Sequence, residues 1–135
     1  MSTAWQVFFD EIARWRDAGR AVEFWWRDDD AARPAPALAR LIALAQRTST
    51  PLALAVIPMR SGKEIFENIG SMVSILQHGA DHANRAGPDG KKTEFAASEP
   101  PAEALARLAA GRGRLEAQAG NRFLPVLAPP WNRMP

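Results

Sequence analysis

The chain contains no cysteine and no tyrosine, and only two histidines among its 135 residues. Without cysteine there is no disulfide framework, no Cys-ligated zinc module, no iron–sulfur cluster and no thiol nucleophile. Charge of one sign is also scarce. Lys and Arg number 17 against 15 Asp and Glu, and the formal net charge of +2 is too small to point to nucleic acid. Long apolar runs are missing too. The longest, Leu52 to Met59, falls far short of the ~20 residues that span a bilayer. The opening MSTAWQVFFDEIARWRD carries no basic leader, and Asp10 and Glu11 interrupt its apolar residues, so no signal peptide is expected. The expectation is a cytoplasmic protein that engages neither membrane nor nucleic acid.

What remains is ordinary globular material. A hydrophobic fraction of 47% with 24% charged residues argues against wholesale disorder, and the length suits a single domain over 1–135. Residues 3–18 read as an amphipathic helix, with Trp5, Phe8, Phe9, Ile12 and Trp15 on one face expected to pack on the domain. Ser2 or Thr3 can cap its start and Gly19 suits its end. Residues 21–27 (AVEFWWR) read as a strand, 36–47 as a helix and 52–57 (LALAVI) as a strand buried on both faces. A short helix is expected within 61–70, a strand at 72–77, a loop over 79–100, a helix at 101–118 and a strand at 123–128. Gly111 and Gly113 weaken that last helix. Alternation of this kind predicts an α/β fold with parallel strands and right-handed crossovers. Four strands suit part of a (β/α) barrel or a small open sheet.

Three features close strands on what should be one rim, where parallel α/β folds gather their chemistry. The first is Asp28-Asp29-Asp30, after the expected first strand. Adjacent carboxylates raise one another's pKa unless a cation is near; alone, the triplet is equally a solvated turn. The second is His78-Gly-Ala-Asp-His82, the chain's two histidines, four apart. On a helical turn that spacing lets both imidazoles reach one ion. The third is Ala128-Pro129-Pro130-Trp131-Asn132-Arg133, where prolines fix the backbone and Trp131 offers a flat wall suited to a sugar ring. One carboxylate and two imidazoles make a metal site with open positions, and a spare carboxylate beside it can act as base. That combination points to metal-assisted hydrolysis. Arg107, Arg112, Arg114 and Arg122 could form a basic binding surface, but a solvated helix face explains them more simply.

These residues, in this order, resemble the polysaccharide deacetylase family (carbohydrate esterase family four). The similarity covers residues 21–133. Trp26-Arg27-Asp28-Asp29-Asp30, followed by Pro36, resembles the family's Thr-Phe-Asp-Asp-Gly strand end and its Pro-initiated helix. His78 and His82 resemble its His-Ser/Thr-x-x-His motif, with Gly79 in place of the hydroxyl residue. Pro129-Pro130-Trp131 resembles its Arg-x-Pro-Tyr-like groove motif, with Ala128 where Arg is usual. The resemblance implies the N-terminal half of a distorted (β/α) barrel, about four strands, truncated at the C-terminus, since a full barrel takes ~200 or more residues. It implies Asp28 as general base and Asp29, His78 and His82 as ligands of a divalent metal. Because Asp30 stands where the family has glycine, the shifted pair Asp29 and Asp30 is open as well. Zn2+ is the first expectation, with Co2+, Ni2+ and Fe2+ as alternatives. Pro130, Trp131 and Arg27 are the implied substrate contacts, with Arg27 or Arg133 standing in for the missing arginine. The implied substrate is an acetylated carbohydrate. The family's late histidine, which protonates the leaving amine, has no counterpart after His82. An active hydrolase therefore competes with a non-catalytic partial barrel that binds metal or a protein partner. Open sheet edges would favour self-association.

Overall fold

The computed structural model describes residues 3–67 and 69–134. Strands β1 (Arg27–Ala31), β2 (Leu52–Val56), β3 (Val73–His78) and β4 (Phe123–Ala128) form one parallel sheet in the order β1-β2-β3-β4. The helices are α1 (Ala4–Asp17), α2 (Pro36–Thr48) and α3 (Pro101–Ala119). The α/β class and the four-stranded parallel sheet agree with the sequence reading. The sheet is not closed, and β1 and β4 are its edges.

Hydrophobic pattern sets which face is covered. Leu52, Leu54 and Val56 of β2 and Val73 and Ile75 of β3 are buried with Ala45 of α2, Ile65 and Phe66 of the intervening turn, and Leu115 and Ala119 of α3. One face thus carries the helices, and burying a side chain such as Leu54 there contributes on the order of 2 kcal/mol. The opposite face carries a smaller cluster of Ala53, Ala55, Leu76 and Ala128. Helix boundaries follow local chemistry. Pro36 and Pro101 occupy first-turn positions, where the missing N–H costs nothing, and Ser49 ends α2 in a left-handed conformation. Gly111 in α3 has a packing reason, because a Cβ there would lie 3.0 Å from both Gln77 Nε2 and Pro58 Cγ. Gln77 uses that proximity and donates to Leu108 O and Gly79 O, at 2.9 Å each, tying α3 to the end of β3.

Three expectations need correction. The strand foreseen at 21–27 starts only at Arg27, so the acidic triplet lies inside β1 and not after it. Of the aromatic run before it only Trp26 packs against the core, while Phe24 and Trp25 are 71% and 66% exposed. An edge strand with alternate residues exposed accommodates the carboxylates instead. Second, α1 forms and Thr3 caps it by accepting from Gln6 N–H at 3.2 Å, but none of its residues is buried. Trp5, Phe8 and Phe9 pack on one another, and Phe8 also on Phe24. Third, the element within 61–70 is a single 3-10 turn, Lys63–Phe66, that buries Ile65 and Phe66; Asn68 of that span lies outside the described residues. Among the described residues, no helix is long and apolar enough to cross a membrane.

Candidate metal centre

The rim is built from the ends of three strands. β1 loses register with β2 between Asp28 and Ala31, and Asp30 in that bulge takes a positive φ of 66°. Bulges re-aim side chains. Here the result is that Asp30 Oδ1 stands 3.0 Å from His78 Nε2 and 2.9 Å from His82 Nε2. The three ligand-capable atoms lie within 4.8 Å of one another.

His78 is the fixed member. It ends β3, its side chain is 3% exposed, and its Nδ1 is 2.9 Å from Ala128 O of β4. A carbonyl only accepts, so Nδ1 carries the proton. In the neutral ring this leaves the Nε2 lone pair directed at Asp30. His82 lies beyond the strand at φ 55°, its ring 5.1 Å from that of His78 and 4.3 Å from that of Trp131. Among the described residues, five non-glycine positions have positive φ, and four of them (Asp30, His82, Trp131, Asn132) belong to this rim. Such conformations cost of order 1–3 kcal/mol each and persist where surrounding contacts impose them.

The donor set fits a divalent cation. Two imidazole nitrogens and one carboxylate oxygen suit Zn2+ or a neighbouring transition metal and leave coordination positions open. The His78 Nε2 lone pair facing a carboxylate oxygen repels it unless a proton or a cation lies between. A backbone carbonyl on the far side of His78 is the usual outer partner of a metal-bound imidazole.

The structure redistributes the acidic residues. Asp30 meets the histidines, while Asp29 pairs with Arg27. Arg27 Nη2 donates to Asp29 Oδ2 at 3.0 Å; Asp29 Oδ1, 2.8 Å from Arg27 Nε but off its N–H direction, is buried with no hydrogen bond. Arg27 also donates to Asn132 at 3.1 Å, bridging β1 to the segment after β4. Asp28 pairs in register with Leu54, on the face the helices cover, and so is turned away from Arg27 and Asp29. Burial, followed by repulsion from Asp29 and Asp30, raises its pKa above the ordinary value. Asp30, and not Asp29, is thus the carboxylate that meets the two histidines. Pro130 is buried and its ring lies beside Gly79, so it supports the histidine turn from below and offers no surface to a substrate. Trp131 is half-buried against His82.

Sequence reasoning missed Glu94, placed in a charged run within a loop. Its side chain is wholly buried and accepts N–H donors from Ala80, Asp81 and His82. The neighbouring Phe95, an isolated aromatic in a polar segment that turns out to be buried, was the available signal that this loop returns to the interior. The four arginines considered as a basic surface are engaged within the chain. Arg107 pairs with Glu99, Arg112 with Glu116, and Arg114 and Arg122 donate to Ser61 O and Phe66 O.

Comparison of the chain with protein-family models, with curated proteins and with solved structures finds no match.

Proposed function

We propose that the chain carries a divalent-metal hydrolase site of the polysaccharide deacetylase type, directed at the acetyl group of a carbohydrate. The observation that carries this reading is the convergence of Asp30, His78 and His82 at the carboxyl end of a parallel sheet. Sequential strand order with the helices on one face supports the N-terminal part of a (β/α) barrel as the parent architecture.

A divalent ion, when bound, supplies a Lewis acid that polarises a carbonyl oxygen and acidifies water. The chain's own residues do the rest. Asp29, held by Arg27 and one residue from Asp30, is the carboxylate that would serve as base toward a metal-activated water. Arg27 holds that carboxylate in place. Trp131 gives a flat apolar wall beside His82 for a sugar ring. The open β4 edge, with Leu124 and Val126 exposed, supports self-association of the chain.

A second reading, a metal-binding domain that turns nothing over, is favoured by one observation. With both histidines of the chain assigned as ligands, no imidazole in it is left to protonate a leaving amine. Two measurements separate these ideas. Titration calorimetry should show Zn2+ uptake by the wild type and none by the His78→Ala, His82→Ala double variant; equal uptake by both overturns the site. Release of acetate from an acetylated chito-oligosaccharide by the Zn2+-loaded protein supports the hydrolase, and its absence supports the second reading.

A further inference from the structure

We infer that Glu94 is a positioning residue, whose buried carboxylate fixes the His82 imidazole against His78 and Asp30; this rests on His82 being part of the proposed site. His78 needs no such help, because β3 and its bond to Ala128 O hold it. His82 lies four residues further on, outside regular structure and at a positive φ. Its backbone N–H donates to Glu94 Oε2 at 3.0 Å, while Ala80 and Asp81 donate to Oε1 at 2.8 and 3.3 Å. Three successive N–H groups thus converge on one carboxylate, an anion-holding nest.

The surroundings are shaped for that carboxylate. Gly79 has φ +60°, and a Cβ on it would collide with Glu94 Oε2 and crowd the Pro130 ring, at 2.7 Å. Burying a carboxyl group is costly unless its oxygens are hydrogen-bonded, and no cationic side chain hydrogen-bonds this one among the described residues. The three bonds from the nest offset that cost. What the arrangement achieves is local. It sets the peptide planes of residues 80–82, and through them the point from which the His82 side chain departs. Trp131 on the far side of the ring completes the clamp.

The carboxylate matters because it accepts in both directions. In Glu94→Gln the side chain keeps its shape, but its NH2 group must face either the His82 N–H or the Ala80 and Asp81 N–H groups, donor against donor. His82 should then leave its place.

The test uses Glu94→Gln with Zn2+ alone as the probe, together with the metal-free NMR spectrum. Packing against Trp131 should displace the His82 ring-proton resonances by ring current in the wild type. In Glu94→Gln they should move toward free-peptide positions while those of His78 stay, and Zn2+ affinity should fall ~10–100-fold, the range for partners that orient a ligand. A folded Glu94→Gln protein with unchanged His82 resonances and unchanged Zn2+ affinity overturns the proposal. Gly79→Ala, which displaces the carboxylate without removing it, should reproduce both changes and serves if Glu94→Gln does not fold. If the wild type takes up no Zn2+, the metal reading fails. The positioning claim is then decided by the His82 resonances alone.

Discussion

Asp30 and His78, two strands apart in the sheet, meet at 3.0 Å across β2. The bulge in β1 delivers the carboxylate, and the face of β2 between them bears only Ala53 and Ala55. If these atoms share an ion, Asp30→Asn should weaken Zn2+ binding by more than ~100-fold, beyond the range for outer-shell partners. Asp29→Asn should leave the affinity nearly unchanged and lower any hydrolysis. Titration calorimetry of the two variants side by side reads the difference; the reverse order would restore Asp29 as the ligand.

A stability signature should appear in acid. Asp81 accepts two hydrogen bonds from Arg85, at 2.9 and 2.6 Å, and chiefly for that reason its pKa lies well below the ordinary 3.8. A depressed carboxylate pKa stabilises the fold above 3.8, and the contribution is lost as pH falls toward the folded value. Asp81→Asn should therefore cost about 1 kcal/mol at neutral pH, allowing for partial exposure, and progressively less below pH 3.8. Urea unfolding of both proteins at pH 7 and in acid measures the convergence.

Asp28 should behave oppositely. Its raised pKa means that the charged form is the one the fold disfavours. Its contribution is favourable below 3.8 and is lost as pH rises through the folded value. Asp28→Asn should raise the unfolding midpoint slightly at neutral pH and have no effect in strong acid, with Zn2+ uptake unchanged.

The two glycines of α3 should respond differently to alanine. Gly113 has open space around it, so Gly113→Ala should stabilise by about 0.5–1 kcal/mol. At Gly111 the same propensity gain meets Pro58 and Gln77 at 3.0 Å, and overpacking of this kind costs about 1–3 kcal/mol. Thermal unfolding should therefore move up for Gly113→Ala and down for Gly111→Ala.

Periodicity and turn chemistry made α2, β2, β3, α3 and β4 readable, most directly in β2 and β3, where the apolar runs are buried. The same logic misplaced β1. Aromatic residues 24–26 look like strand, yet hydrogen-bonded pairing begins at Arg27, in a segment whose composition argues against it. For α1 the helix was legible and its neighbour was not, since amphipathicity says that a face can be covered but not by what. The histidine pair was legible by type and spacing. Its carboxylate partner was not resolved to one residue, because alternation within β1 and the bulge together decide which Asp reaches the histidines. Glu94 was invisible for a different reason. A glutamate after Lys91-Lys92-Thr93 reads as solvated, and its burial depends on the backbone of residues 80–82, 12 or more positions earlier.

The loop that carries Glu94 back to the site is closed at its neck. Arg85 N–H donates to Thr93 O at 2.8 Å, and Asn84 Oδ1 accepts from Thr93 and Ala86 N–H. Beyond the neck, residues 87–92 are exposed; the tip turns on a bond from Gly90 N–H to Gly87 O, and Arg133 donates to Lys92 O at its base. The neck sets the distance from His82 to Glu94, and the tip does not. Chain length is therefore free to change between Gly87 and Gly90: an epitope tag spliced there enlarges the tip and leaves the carboxylate where it is.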